Sequence, residues 1–213
     1  MTDLMSRFIT LEGGEGVGKS THLAAVADFL RAGGDEVVVT REPGGTPYAE
    51  ELRALLLSPR AEAVMPSAEL LTLFAARAQH WHGLILPALQ RGAWVLSDRF
   101  VDATYAYQGA GRGLAVADIA ALEHWLLQGQ QPGLTLLLDM PVADGMARAR
   151  ARAALDRFES EQLEFFERVR AGYLARAAAD PQRIRQIDAG QSLLAVQADV
   201  LQAVRRYQMA VKS

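Results

Sequence analysis

The stretch GGEGVGKST, residues 13–21, constrains the fold of this chain more than any other part of the sequence. Gly13, four further residues, and then Gly18, Lys19 and Ser20 match the phosphate-binding loop (P-loop), in which glycines let the backbone wrap around phosphate groups. An apolar run ends just before the loop and a helical pattern begins near Lys19, so helix amides would face the anion. We therefore predict a nucleotide site in which Lys19 reaches the β and γ phosphates and Ser20 holds Mg²⁺. The predicted nucleotide-binding residues are Gly13, Gly14, Glu15, Gly16, Val17, Gly18, Lys19, Ser20 and Thr21.

Short apolar runs alternate with longer helical patterns along the chain. The runs are mostly too uniformly apolar for half-exposed strands, so we predict strands covered on both faces. They span 7–12, 36–42, 93–98, 134–139 and 183–188. The intervening segments are long enough for crossover helices, at 19–32, 66–90, 116–128 and 159–179. This alternation predicts an α/β fold, a five-stranded parallel sheet flanked by helices, with the functional residues just after the strands.

Length and composition exclude several classes of protein. The 213 residues fit one domain, 1–213, and the absence of cysteine excludes disulfides, thiolate metal sites and cysteine nucleophiles. A formal net charge of -3 provides no field for gripping a nucleic acid or an anionic membrane, so we expect neither as a partner. The first residues lack the apolar run of a secretory signal, and no apolar stretch reaches transmembrane length. We expect a cytoplasmic protein.

Two aspartates, Asp98 and Asp139, each close an apolar run, as a carboxylate that supports a nucleotide-bound metal does. Strand pattern alone does not choose between them. Asp98 is followed by RFVDATYAYQG, which is rich in side chains able to bind a planar polar ligand, whereas MPVADG after Asp139 indicates a turn into a helix. We therefore assign Ser20 and Asp98 to the predicted metal site, with Arg99 following into the crevice.

A P-loop serves GTPases, motor ATPases and small-molecule kinases alike. The sequence contains no Asn-Lys-x-Asp segment to select guanine, and 213 residues leave little chain for the coupled domain of a motor. A kinase needs an acceptor pocket, and three segments offer parts for one. These parts are REPGGT at 41–46 with Arg53 on the helix that follows, Phe74 with Arg77 on one helix face, and Thr104, Tyr105, Tyr107 and Gln108. The combination favours a kinase, and the alternative is a P-loop ATPase or nucleotide-binding module without an acceptor.

The motifs EGGEGVGKST, TREPGGT, LLTLFAAR, LSDRF, AYQGAGRG and RARARAALDRFE, in this order and spacing, resemble bacterial thymidylate kinase across nearly the whole chain. The P-loop alone is generic, but TREPGGT together with the aspartate-arginine pair and AYQGAGRG is highly specific. The resemblance implies the P-loop nucleoside monophosphate kinase fold with a helical lid. It also implies transfer of the γ-phosphoryl group of ATP to dTMP, with Mg²⁺, in a homodimer.

The family pattern implies roles for individual acceptor-side residues. Phe74 would stack on thymine and Arg77 would donate to its O4, while Arg53 and Arg99 would bind the acceptor phosphate. The implied substrate-binding residues are Glu42, Pro43, Arg53, Phe74, Arg77, Arg99, Thr104, Tyr107 and Gln108. Residues 187–191, IDAGQ, would approach adenine. Two positions depart from the commoner pattern, since Phe100 replaces a tyrosine and Ala103 a serine, which changes the local hydrogen bonding.

The arginine-rich segment RARARAALDRFE, residues 148–159, has two interpretations. Charge pattern alone favours a solvated helical face with an Arg152–Asp156 pair. The family requires a basic residue either in the P-loop or in a mobile lid, and because Gly16 follows Glu15 the loop supplies none. We therefore predict a lid at about 146–159 that presents arginines to ATP, while Glu15 faces the acceptor. The predicted catalytic residues are Glu15, Lys19, Arg99, Arg148, Arg150 and Arg152.

Overall fold

The computed structural model describes residues 4–152, 157–158 and 161–212, apart from the side chains of Arg152 and Lys212. Its centre is a five-stranded parallel sheet in the order β2-β3-β1-β4-β5. The strands are β1 Phe8–Glu12, β2 Val37–Arg41, β3 Trp94–Asp98, β4 Leu134–Asp139 and β5 Ile184–Asp188. Each agrees with its predicted range to within one residue at either end, so the α/β prediction is confirmed.

Helices connect the strands and cover both faces of the sheet. The α-helices are α1 Lys19–Ala32, α2 Pro47–Leu57, α3 Pro66–His80, α4 Leu86–Gln90, α5 Val101–Thr104, α6 Val116–Leu127, α7 Val142–Arg152, α8 Leu163–Ala179 and α9 Leu193–Lys212. A π-helical turn, Trp81–Ile85, joins α3 to α4, and another, Tyr105–Gly111, continues α5. Within the described residues, no helix combines the length and the apolar character needed to cross a membrane.

Two helix predictions need correction. The segment predicted as one helix over 66–90 changes to a π-helical turn after His80, because Pro87 has no amide hydrogen to continue the α-helical ladder. The helix predicted from 159 begins instead at Leu163, after the extended Gln162; residues 159–160 lie outside the described residues.

The core explains why the strands are so apolar. All five residues of β1 are buried, because α1 and α9 pack on one face of the sheet and α3, α4 and α6 on the other. In α1, Leu23, Val26, Ala27 and Leu30 recur at helical spacing and are buried against the sheet.

The register of the sheet places the polar strand ends together. In the pairing of β1 with β3, Leu11 lies opposite Asp98, and in the pairing of β2 with β3, Arg41 also lies opposite Asp98. The loop before α1, the segment after β2 and the segment after β3 therefore leave the sheet at one edge. That edge is where ligands bind in open parallel sheets.

Candidate functional site

The P-loop has the geometry of a phosphate cradle. Gly18 precedes α1 with a φ of 91°, and the side chain of Lys19 turns back into the loop. Its Nζ donates to the carbonyl oxygens of Gly13 (3.1 Å) and Gly14 (2.7 Å), and burial lowers the pKa of its ammonium group. The loop thus holds a buried cation beside the N-terminus of a helix, an arrangement suited to phosphate.

Gly16 is required at its position by the backbone. Its φ is +71°, and a Cβ atom there would lie 1.9 Å from the carbonyl oxygen of Gly145 in α7. A basic residue in place of Gly16 would therefore collide with backbone as well as adopt a strained conformation. The absence of a P-loop arginine thus has a steric cause in this chain.

The structure separates the two candidate aspartates. Ser20 Oγ donates to Asp98 Oδ2 (3.2 Å), while Asp98 Oδ1 is buried without a hydrogen-bond partner among the described residues. Both oxygens of Asp139 instead accept from Arg170, at 2.7 and 3.0 Å. A hydroxyl next to an unsatisfied carboxylate oxygen fits Mg²⁺, which prefers oxygen ligands. The metal role of Ser20 and Asp98 stays a prediction.

A single cavity of about 480 Å³ extends from the P-loop to the end of α3. It brings together fifteen of the residues predicted for the nucleotide, acceptor and metal: Glu15, Gly16, Gly18, Lys19, Ser20, Thr21, Glu42, Pro43, Arg53, Arg77, Asp98, Arg99, Thr104, Tyr107 and Gln108. The wall also includes Arg41, the first residue of the REPGGT segment, and residues without a predicted binding role: Leu57, Leu73, Phe100, Ala103 and Phe158. Phe158 lies near the end of the arginine-rich segment 148–159, directly after Arg157. An aromatic residue in so charged a segment is the sequence feature that points to a contact there.

Glu15, Arg99 and Tyr107 form a cluster between the P-loop and the rest of the cavity. Glu15 Oε1 accepts from Arg99 Nη2 (2.5 Å) and from the hydroxyl of Tyr107 (2.7 Å), and Arg99 Nη2 also donates to that hydroxyl (2.8 Å). Burial alone would raise the pKa of Glu15, but Arg99, Lys19 and Tyr107 outweigh it and lower the pKa to about 2. The carboxyl group is therefore charged throughout the physiological range.

The backbone of Arg99 is left-handed, with a φ of 69°, and three hydrogen bonds hold it there. Its amide donates to Leu11 O (2.9 Å), Ser97 Oγ donates to its carbonyl oxygen (2.7 Å), and the next amide, of Phe100, donates to Glu12 Oε1 (2.7 Å). Such a conformation is uncommon for a residue with a side chain and marks a constrained position.

At the far end of the cavity, Arg77 lies between aromatic rings. Its Cζ is 4.9 Å from the ring centre of Phe74 and 5.5 Å from that of Phe100. Nε donates to Glu42 Oε2 (2.7 Å) and Nη2 donates to Thr104 Oγ1 (3.0 Å) and Phe100 O (3.3 Å). Nη1 is buried and has no partner among the described residues.

Two predicted contacts look different in the structure. Phe74 is buried in the core against Arg77 and does not belong to the cavity wall that the described residues form, so its stacking on a base stays a prediction. Gln108 lines the cavity, but its Nε2 donates to Glu69 Oε1 (2.9 Å), so the amide nitrogen already has a protein partner.

The predicted lid is described only in part. Arg148 and Arg150 are exposed on α7, and Arg148 Nη1 donates to Ala189 O (3.3 Å), in the segment predicted to approach adenine. The side chain of Arg152, residues 153–156 and residue 159 lie outside the described residues, and with them the alternative Arg152–Asp156 pair. Beyond this gap, Arg157 Nη2 donates to Glu69 Oε2 (2.6 Å).

The cavity extends beyond the phosphate cradle. It joins the phosphate cradle to a second wall containing Arg77, so one site accommodates a nucleotide's phosphates and a second molecule. Together with the order of the parallel strands, this arrangement defines a P-loop enzyme of the nucleoside monophosphate kinase type.

Comparisons with known proteins identify the family. The family model for thymidylate kinase matches residues 11–200. The chain is 60% identical over 205 residues to the thymidylate kinase of Teredinibacter turnerae, covering 96% of this chain and 100% of that protein. It is 61% identical over 196 residues to that of Chromohalobacter salexigens, covering 91% and 92%. The crystal structure of thymidylate kinase from Ehrlichia chaffeensis superposes with a TM-score of 0.77 at 31% identity, covering 94% of this chain and 98% of that chain. The chain therefore belongs to the thymidylate kinase family.

Proposed function

We propose that this chain transfers the γ-phosphoryl group of ATP to dTMP and releases dTDP and ADP. The observation that carries the proposal is Arg77, which is 3% exposed and lines the cavity that contains the P-loop; its Nη1 has no hydrogen-bond partner in the described part of the chain. An unpaired buried donor costs about 1–3 kcal/mol. The ring carbonyl of a bound pyrimidine would remove that cost, and relatives about 60% identical are called thymidylate kinase.

Arg77 also provides a basis for choosing the acceptor base. Thymine presents an acceptor, O4, where cytosine presents an amino donor. A donor facing Arg77 Nη1 would leave both groups unsatisfied, which would disfavour dCMP by about 1–3 kcal/mol. Uracil carries the same O4, so this contact does not separate dTMP from dUMP.

Phosphoryl transfer asks the protein mainly to align two anions and to neutralise charge. Lys19 and the loop amides would hold the donor phosphates, and Arg53 and Arg99 would hold the acceptor phosphate. Mg²⁺, when bound through Ser20 and near Asp98, supplies positive charge at the donor phosphates. Arg99 donates to Glu15 of the P-loop and lines the same cavity as Arg77, which supports a role between the two substrates.

Residues 146–159 would act as a lid that presents Arg148, Arg150 or Arg152 to ATP and keeps water from the reacting phosphate. Two observations support this proposal. Gly145, next to the segment, contacts the P-loop at Gly16, and Arg148 already bonds to the segment predicted to approach adenine.

We further propose that the chain forms a homodimer. Leu71 on α3 is 58% exposed and Trp125 on α6 is 75% exposed, and these two helices pack against each other. Large apolar side chains exposed on neighbouring helices are typical of protein interfaces. Light scattering should give twice the chain mass, and Trp125→Glu should reduce it towards the single-chain mass. A monomeric parent protein would contradict the proposal.

An ATP-consumption assay with five acceptors tests the proposed function. We expect ADP formation to depend on an added acceptor and to be fastest with dTMP among dTMP, dUMP, UMP, dCMP and AMP. A preference for AMP or UMP would overturn the assignment. Fast hydrolysis indifferent to any acceptor would support the alternative, a P-loop ATPase.

A further inference from the structure

His80 is a buried titratable residue that lies beside Glu42 and on the same helix as Arg77. It is 0% exposed at the C-terminal end of α3, one turn after Arg77, and the π-helical turn Trp81–Ile85 begins directly after it. Its Nδ1 lies 3.0 Å from Glu42 Oε1, and its Nε2 lies 2.7 Å from Thr40 Oγ1. Departures from α-helical geometry of this kind often occur at functional sites.

The chemistry of the partners determines which nitrogen of His80 carries hydrogen. Glu42 is charged: burial would raise its pKa, but Arg77 and His80 outweigh that effect and lower it. A carboxylate only accepts, so Nδ1 must donate. In the neutral ring Nε2 then accepts from the hydroxyl of Thr40. The structure therefore assigns the Nδ1–H tautomer to neutral His80.

Glu42 divides its two oxygens between His80 and Arg77. Oε1 accepts from His80 Nδ1 and Oε2 accepts from Arg77 Nε (2.7 Å), with both partners buried. Because a carboxylate is planar, fixing Oε1 also fixes the direction in which Oε2 holds Arg77. If Nδ1 no longer donated, the carboxylate of Glu42 could rotate about the Cγ–Cδ bond. The guanidinium of Arg77 could then tilt with it, and its Nη1 would change direction.

The loop after β2 closes tightly on this chain of hydrogen bonds. A Cβ atom on Gly45 would lie 2.4 Å from His80 Nε2 and 2.6 Å from Thr40 Oγ1. The backbone therefore packs directly on the imidazole, and the position of the ring is constrained from both of its nitrogens.

We propose that His80 is a positioning residue for recognition of the acceptor base, acting through Glu42 to aim Arg77 Nη1 at a ring carbonyl oxygen. This inference rests on the proposed function, since it assumes that Arg77 contacts the acceptor. His80 contacts neither substrate. Its effect should appear in acceptor affinity and in the choice between dTMP and dCMP, and not in the binding of ATP.

Two substitutions of similar polarity separate positioning from simple packing. In His80→Asn the amide nitrogen takes the place of Nδ1 and can still donate to Glu42. In His80→Gln the longer side chain places its amide near Nε2, where it reaches Thr40 instead. Asparagine leaves the larger void, so packing alone predicts that His80→Asn is the worse variant, whereas positioning predicts that His80→Gln is.

The measurements are KM for dTMP, KM for ATP, the ratio of kcat/KM for dTMP to that for dCMP, and the melting temperature. For His80→Gln we expect a rise of about tenfold in KM for dTMP, the loss of one well-aligned hydrogen bond to a charged group. The dTMP to dCMP ratio should fall with it, and KM for ATP should change by less than about twofold, because the P-loop is untouched. His80→Asn should recover most of the acceptor affinity.

The inference would be overturned if KM for dTMP rose only in proportion to the loss in melting temperature, or if it rose more in His80→Asn than in His80→Gln. Either result would leave His80 as a packing residue. Wild-type protein without dTMP-dependent activity would instead remove the proposed function. If neither variant folds, nitrogen NMR of the wild-type histidines still tests the hydrogen bond from His80 to Glu42. We expect the Nδ1–H tautomer for His80, and an Nε2–H tautomer would contradict the inference.

Discussion

Glu15→Gln is the substitution that most sharply tests how the P-loop meets the acceptor side. Glutamine has nearly the same shape as glutamate but no charge. Since Arg99 and Tyr107 both donate to Glu15 Oε1, an amide oxygen could still accept both bonds, and the variant would remove only the charge.

The size of the effect can be worked out in two ways. A hydrogen bond to a charged group contributes about 1.5–3 kcal/mol and a neutral one about 0.5–1.5. In the variant the bond from Tyr107 becomes neutral and the bond from Arg99 keeps only one charged partner, so weakening the two together costs about 2–3 kcal/mol. The pKa of about 2 for Glu15, against 4.5 for an ordinary glutamate, favours the charged form by about 3 kcal/mol. These are free energies of the folded site, so they set the largest effect that acceptor kinetics can show. We expect kcat/KM for dTMP to fall by as much as about 30- to 150-fold.

The assay is steady-state kinetics with each substrate varied in turn. KM for ATP should change by less than about threefold, because Lys19 and the loop amides hold the donor phosphates. Tyr107→Phe is the matched control: it removes one of the two donors to Glu15 and leaves the charge and the Arg99 pair, so we expect a smaller loss, of about tenfold.

A kcat/KM for dTMP within about threefold of wild type in Glu15→Gln would refute the acceptor-side role of this carboxylate. Weaker ATP binding with unchanged acceptor kinetics would refute it as well. That second result would place Glu15 on the donor side of the reaction.

Further predictions concern the lid, a buried carboxyl group and the P-loop. Single alanine substitutions in the lid should reveal one arginine whose loss lowers kcat by about 10³-fold with the melting temperature unchanged; near-native rates in the triple variant would end the lid hypothesis. The residues to replace are Arg148, Arg150 and Arg152. Burial and nearby Asp102 raise the pKa of Glu12 to about 8 from 4.5, so the folded protein holds a proton that the unfolded chain releases between these values. The free energy of unfolding of the wild type, measured with urea, should therefore fall as the pH rises through that window. For Glu12→Gln it should depend less on pH, and the same pH dependence in both proteins would contradict this. Gly16→Ala would place a Cβ atom 1.9 Å from Gly145 O, so it should raise KM for ATP and lower the melting temperature. Gly34→Ala is the control: its φ is +85° but no atom lies near, so it should cost only about 1 kcal/mol of backbone strain. Equal effects of the two substitutions would rule out the steric explanation.

Sequence patterns predicted the strands well because a strand buried on both faces must be apolar along its whole length. The position of the P-loop followed from the glycine spacing and the adjoining strand and helix. The helix predicted over 66–90 was partly wrong, because apolar periodicity does not distinguish an α-helical turn from the wider π-helical turn at Trp81–Ile85.

Side-chain partners were the part that sequence could not supply. Asp98 and Asp139 have the same place relative to their strands, and the structure separates them by their contacts, Asp98 with Ser20 and Asp139 with Arg170. His80 is likewise one more residue of a helical pattern until β2 brings Thr40 against it, forty positions away. Such pairs depend on tertiary contacts, which leave no local pattern in the chain.

The central claim is that the γ-phosphoryl group goes to a nucleotide acceptor and not to water. The most direct measurement incubates the protein with Mg²⁺, ATP labelled at the γ-phosphate and dTMP, and then separates the products. We predict that the label appears in dTDP, with little inorganic phosphate and with slow ATP loss when dTMP is omitted. Label released as inorganic phosphate at the same rate with and without dTMP would contradict the account.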